Sequence, residues 1–263
     1  MKTIGRIESL WRYPVKSMCG EVLQQAFAGF GGIYGDRWYA FSSAGAIKGF
    51  PFLTARDKGA MLLYRPSYRH VDRMLEPSNL AEAKALGPGI TPMYAEGEDW
   101  AVDVCTPSGE VRAIDDPQLI ESLRQGLDDK HELRLLRSQR ALTDCRPISL
   151  FSRQTAEQLR DEVGVELDLR RFRANLYLDL EGQTGFAEDA LVGRMVRIGA
   201  EAVIAVTDRD PRCKMITLDP DTGVANPEVM RVLAREHGGY AGVYGAVVVE
   251  GRICEGDAVA VLD

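Results

Sequence analysis

EAVIAVTDRDPRCKMITLDPDTG occupies residues 201–223. Its first six residues are mostly apolar and include β-branched side chains, the composition of a strand. Pro211 stops that run, and Asp219 and Asp221 flank Pro220 in the turn DPDTG. The stretch from Thr207 onward is therefore a loop leaving a strand, the kind of place where sites sit. In that loop Cys213 stands among Arg209, Arg212 and Lys214, and nearby cations favour a thiolate over a thiol. Asp208 and Asp210 partly cancel the field. A thiolate is a soft donor for a transition metal or a nucleophile. The same local sequence also fits an ordinary buried cysteine.

Outward from this loop the chain repeats one pattern: short strand-like runs separated by Gly-rich turns, with few helices. Strands are expected over 4–13, 37–42, 60–65, 100–105, 111–113, 133–137, 171–180, 195–206, 244–250 and 258–262. Asp116-Pro117 opens a helix with an apolar face of Leu119, Ile120 and Leu123, which Gly126 can end. Ser152 can cap a second helix ending near Gly164, and Asn226-Pro227 opens a third closed by Gly238-Gly239. A weaker helix spans 78–86. Many short strands with few helices give a mostly β fold built from β-barrels rather than a doubly wound sheet. The first clear helix marks a boundary near 114–117, giving two modules, 1–115 and 116–263.

Charge and cysteines narrow the function class. The 32 basic and 39 acidic residues leave a net −7, which argues against nucleic-acid or membrane-surface partners. An anion would need a local basic cluster. No stretch approaches the roughly 20 apolar residues of a membrane span. Five scattered cysteines with no export signal fit a reducing cytoplasm, not a disulfide framework. No C-x-x-C, H-E-x-x-H, P-loop, G-x-S-x-G or complete G-x-G-x-x-G is present. Zinc, iron–sulfur and dinucleotide chemistry are not supported.

Three further segments carry candidate anion contacts. RRFRANLYLDL (170–180) alternates, which puts Arg171, Arg173, Asn175, Tyr177 and Asp179 on one strand face. Two guanidiniums and an amide on one face suit a phosphate and a hydrogen-bonding ring, or simply a solvated strand face. In RYPVKSM (12–18) the bend at Pro14 presents Lys16 and Ser17; in GDRW (35–38) a glycine turn presents Arg37. Ser152 offers a hydroxyl at a helix start, or serves as a plain N-cap.

RYPVKSM, DRW, FLTARD (52–57), RFRAN (171–175), RCKMITLDPDTG (212–223) and GRICEGDAV (251–259) follow one another as they do in the MOSC family. The chain resembles that family over nearly its whole length, with the nearer likeness to amidoxime-reducing proteins and bacterial reductases of N-hydroxylated bases. The resemblance implies a MOSC N-terminal β-barrel module followed by a MOSC β-barrel, sharing one cleft for a molybdenum cofactor. It makes Cys213 the sulfur ligand of the metal. Lys16, Ser17, Arg37, Ser152, Arg173, Asn175 and Arg212 become cofactor contacts. Ala174 stands where the family often has proline. No pyridoxal-phosphate module and no ferredoxin-like extension are expected. Electrons for reducing a small N-hydroxylated substrate would then come from a separate redox protein. The alternative is a cofactor carrier or sulfur-transfer module without turnover.

Overall fold

The computed structural model describes residues 1–46, 49–86, 100–128 and 130–262. The N-terminal part contains β1 (Lys2–Arg12), β2 (Glu21–Leu23), β3 (Gln25–Gly29), β4 (Gly32–Ile33) and β5 (Tyr39–Ser43). It continues through β6 (Arg65–Tyr68), α1 (Leu80–Lys84), β7 (Val102–Cys105), β8 (Val111–Ala113), α2 (Pro117–Arg124) and β9 (Leu133–Arg137). Then come β10 (Ile148–Ser152), α3 (Arg153–Val163), β11 (Leu176–Asp179), β12 (Met195–Ile198) and β13 (Ala202–Pro211). The chain ends with α4 (Pro227–His237), β14 (Tyr240–Val249), β15 (Gly251–Cys254) and β16 (Ala258–Val261).

Seven strands close into a barrel in the order β11-β10-β14-β13-β12-β16-β1, sealed where β1 also pairs with β11. Only β10 and β11 run parallel within this ring. Residues Ile7, Leu150, Leu178, Ile198, Ile204 and Val259 fill its apolar interior. The seam needs one long strand: β1 pairs with β16 up to Arg6, with β11 from Arg6 to Leu10, and with β2 from Leu10. Gly5 sits at the changeover, where a Cβ would lie 2.1 Å from the Asp179 carbonyl oxygen. Only glycine allows that backbone approach.

The expected helices form with their expected signals. Asp116 accepts from Gln118 N at the start of α2, and Asn226 accepts from Glu228 N at the start of α4. Ser152 caps α3, which ends on left-handed Gly164. The 78–86 helix shortens to α1.

The expected strands at 60–65 and 195–206 change. Residues 60–65 were expected as a strand, but Gly59–Leu63 is a 3₁₀ turn that buries Met61 and Leu62. Lys58 Nζ holds it in place by donating to the Ser122, Leu123 and Gln125 carbonyls at the end of α2. The 195–206 run is two strands, split by Gly199 at φ +61°. The two cores share elements across residues 115/116. Leu119 and Leu123 of α2 and Leu133 of β9 pack with Trp38, Phe41 and Trp100 of the N-terminal part, while β1 completes the C-terminal barrel and β15 pairs with β3.

Replacing Gly5 with valine forces side-chain atoms against the Asp179 backbone at the seam. Overpacking of this kind costs roughly 1–3 kcal/mol. Urea unfolding should show a lower midpoint, and an unchanged midpoint would mean that the seam tolerates a Cβ.

Candidate functional site

Residues 170–175 reverse direction instead of continuing a strand. Leu169–Phe172 is a 3₁₀ turn capped by Asp168, Arg173 adopts a left-handed φ of +52°, and β11 begins only at Leu176. The Tyr177 hydroxyl fixes this reversal by donating to the Leu169 carbonyl (2.7 Å) and accepting from Ala174 N (3.2 Å). The alternating face expected here therefore does not exist. Tyr177 is fully buried against Phe151 and Phe172, and Asp179 faces Arg6 and Arg153 at the barrel rim. Arg171, Arg173 and Asn175 reach one wall of a cleft by way of the reversal.

That cleft, about 1250 Å³ including its open mouth, lies where the two parts of the chain meet. Lys16, Ser17, Arg37, Thr54 and Arg56 come from one side, and Asp210, Arg212, Cys213 and Tyr244 from the other. The loop Thr143–Arg146 contributes a further edge. Seven cationic side chains line it against two carboxylates, Asp144 and Asp210, in a protein whose net charge is −7. Such focusing favours an anionic ligand.

Of the residues singled out by sequence, Lys16, Ser17, Arg37, Arg173, Asn175, Arg212 and Cys213 all line this cleft. Ser152 does not line it. Its fully buried hydroxyl accepts from Thr155 N (3.1 Å) and lies 2.6 Å from Glu188 Oε2, so its position is that of the plain N-cap. Two of the three cations next to Cys213 in sequence also turn away. Arg209 pairs with Asp189 and stacks on Tyr240, while Lys214 Nζ donates to the Arg56 carbonyl. Arg171 is held by the Thr217 carbonyl and by Asp219, whose other oxygen organises the DPDTG turn.

The cations are held rigidly. Lys16 is 4% exposed, donates to the Leu142 carbonyl (2.7 Å), pairs with Asp144 and faces the rings of Phe50 and Phe52. Burial pushes its ammonium below the ordinary lysine range, with Asp144 opposing. Arg37 pairs with fully buried Asp36 and donates to the Arg173 carbonyl (2.9 Å). Burial lowers its pKa, but Asp36 more than offsets this and the guanidinium ends above its usual value. Arg173 lies over the Tyr13 ring and is pushed down, first by burial and then by Arg37 despite opposition from Tyr13. Its Nη2 is buried without a hydrogen-bond partner.

Backbone conformation marks the same place. Among the described residues, Ser17, Arg37, Arg173 and Phe186 are the non-glycines with positive φ, and the first three line the cleft. Left-handed backbone at such residues stores strain and clusters at functional sites. Arg212 is fixed by the Ala241 and Phe172 carbonyls (2.6 and 2.7 Å) and by Asp210. Gly242 makes room for it, since a Cβ there would lie 3.0 Å from Arg212 Nη2. Asn175 has a structural task as well: it accepts from Ser149 N and donates to the Trp11 carbonyl (3.3 Å each).

Sequence reading missed Arg56, Asp210, Tyr244 and the Thr143–Arg146 loop as cleft residues. The loop carried a signal in RALTDCRP (140–147), a basic, cysteine-bearing segment running into a strand. Asp210 was read only as a charge offsetting the cations near Cys213.

Residues 4–96 match the MOSC N-terminal beta barrel domain and residues 137–260 match the MOSC domain. The chain is 23% identical over 254 residues to mitochondrial amidoxime reducing component 2 of Bos taurus, covering 85% of this chain and 69% of that protein. Among solved structures, the YuaD protein from Bacillus subtilis aligns with TM-score 0.48 at 13% identity, over 98% of this chain and 96% of that one. YiiM from Geobacillus stearothermophilus aligns over 45% of this chain and 55% of its own, with TM-score 0.36 and 18% identity.

Replacing Asn175 with alanine leaves the buried Ser149 amide and the Trp11 carbonyl short of a partner. Unsatisfied buried groups cost about 1–3 kcal/mol. Thermal unfolding should fall accordingly, and an unaltered melting point would show that the amide is not structural.

Proposed function

We propose, from the premise that this chain belongs to the MOSC-domain family, that it is a molybdenum-cofactor-dependent oxidoreductase reducing N-hydroxylated compounds such as amidoximes and hydroxylated bases. The observation that carries this reading is the pairing of a cleft-lining thiol at the end of β13, Cys213, with a concentrated set of cations; the cleft's other cysteine, Cys145, lies on the exposed 143–146 loop. The donor set fits the group. A phosphate suits the unpartnered Arg173 Nη2 together with Lys16, Arg37, Arg146 and Arg212, and a soft metal suits a thiolate. Among the described residues no three His, Cys, Asp or Glu side chains form a metal cage. A metal beside Cys213 would then take its other donors from a bound group.

When bound, the molybdenum cofactor supplies two-electron redox chemistry. The protein's part is to bind, orient and shield. Arg37, Arg173 and Lys16 would hold the anionic end, Cys213 would hold the metal, and the open mouth would admit a small substrate. Pyridoxal phosphate has no role in this scheme. Electrons come from a separate redox protein in the cytoplasm, and neither nucleic acid nor membrane takes part. The relative named for amidoxime reduction supports this direction. If the cleft binds the cofactor without turnover, the protein is instead a carrier or sulfur-transfer module.

Protein made in a cofactor-producing host should contain molybdenum and pterin and reduce an amidoxime when reduced viologen is supplied. NADH alone should not drive it. Cys213→Ala should abolish turnover and remove a sulfur from the molybdenum shell seen by X-ray absorption. A loaded protein inert toward every N-hydroxylated compound tried would favour the carrier.

Arg173→Met removes charge-assisted hydrogen bonds of about 1.5–3 kcal/mol, so cofactor affinity should fall roughly ten- to a hundredfold. Cofactor content equal to wild type after dialysis would refute the anion pocket.

A further inference from the structure

Among the described residues Asp210 is the buried carboxyl of the cleft, and beyond fixing Arg212 the holding of an anion gives it no task. It lies near the end of β13, three positions before Cys213, is 2% exposed and yet lines the cavity. Its Oδ2 is 2.8 Å from Arg212 Nη2, and the Tyr244 side chain hydrogen-bonds to it. Arg212, Tyr244, Asp144 and Arg37 are the titratable groups that face it. The cleft's other carboxylate, Asp144, is 47% exposed and paired with Lys16.

Reducing an N-hydroxy compound breaks the N–O bond and consumes two electrons and two protons. The products are R–NH₂ and water from R–NHOH. The electrons come from the external donor, and the released oxygen needs a proton source within reach in the cleft.

We propose that Asp210 donates the proton taken up by the oxygen released from the substrate, with Tyr244 and Arg212 aiming its carboxyl into the cleft. This rests on the reductase reading. The O–H bond of Asp210 breaks as the new O–H bond forms on the departing oxygen. The second proton comes from water, which also reprotonates Asp210 through the open mouth. The local environment suits a donor. Burial pushes the Asp210 carboxyl above the ordinary aspartate range, Arg212 and Tyr244 oppose, Asp144 adds to the rise, and Arg37 opposes. A raised carboxyl keeps its proton to higher pH, so turnover that depends on it declines as pH climbs through that value.

The test pairs kinetics with a measurement that needs no cofactor. Asp210→Asn should lower viologen-driven kcat, counted per bound molybdenum, by roughly 10²–10⁴-fold and flatten the alkaline limb of the pH profile. Asp210→Glu, which keeps an acid, should retain a pH limb. In cofactor-free protein, carbon-13 NMR of the Asp210 carboxyl should give a midpoint above the ordinary value of about 3.9. Tyr244→Phe should raise that midpoint further, because the lost hydrogen bond favours the carboxylate. An active wild type with an equally active Asp210→Asn overturns the proposal, as does a midpoint at or below the ordinary value. An inert, fully loaded wild type overturns the reductase reading beneath it.

Discussion

Tyr13 supports two arginines, Arg37 with its guanidinium carbon 4.6 Å from the ring centroid and Arg173 at 4.3 Å. Two partly buried cations so close to one ring repel each other and lose hydration, and both effects disfavour the arrangement. The ring's negative face offsets part of that. Asp36 offsets more, since it accepts from Tyr13 N (2.8 Å) with one oxygen and pairs with Arg37 through the other. The Tyr13 hydroxyl closes the assembly on the Ala174 carbonyl (3.2 Å). Burial pushes that hydroxyl up to about 12, so it stays a neutral donor at any physiological pH. The cleft wall depends on this cluster because it fixes both the aim of Arg173 and the approach of the N-terminal segment to the barrel.

The cluster sits where the chain crosses between its two cores. Residue 13 directly follows β1, which is a barrel strand, and Arg37 stands two positions before β5, which belongs to the aromatic core with β9. The Lys16 amide donates to the Tyr39 carbonyl (2.8 Å), so the lysine is placed by that second sheet. Cys213 and Arg212 follow β13 from the opposite direction. A cleft assembled from both cores keeps its shape only while both are folded. The exchange of β1 into one core and of α2 and β9 into the other makes the two parts hard to separate.

Much of this was legible in the sequence because it is encoded locally. Asp116, Ser152 and Asn226 mark helix starts through side-chain acceptors within three residues, and Gly164 and Gly238 mark ends through their backbone freedom. Strands β8 and β9 lie at their expected bounds because turn residues flank them. β10 escaped notice because all five of its residues are buried, which removes the alternation that identifies a half-exposed strand. The reversal at 170–175 was invisible for a different reason: alternation suits a strand, while the constraint that breaks it is the Tyr177 hydroxyl folding back on Leu169 and Ala174. Ser152 looked equally apt as cap and as ligand, and Glu188, which holds it inside, is 36 residues away. Arg209 and Lys214 surround Cys213 in sequence, but their partners Asp189 and the Arg56 carbonyl are long-range. Local chemistry named the right residue types at the cleft, and tertiary contacts decided which of them face it.

The cations of the cleft also explain one another. Arg37 and Arg173 each push Lys16 down, and Arg37 pushes Arg173 down, so the group is electrostatically unfavourable when considered without a counter-charge. Asp144 and Asp210 supply only part of that charge. Both already have cationic partners in Lys16 and Arg212. An anion among these side chains would add an attraction to each cation that offsets their mutual repulsion, and would give Arg173 Nη2 an acceptor. Because the arrangement exists only in the folded chain, such an anion binds the native state alone and stabilises it by linkage, about 2.7 kcal/mol at a concentration 100 times its Kd. The left-handed backbone at Ser17, Arg37 and Arg173 is a local strain held by the fold. Two independent physical signs, unfavourable charge and unfavourable backbone, fall on the same three segments, and a bound anion would offset the first.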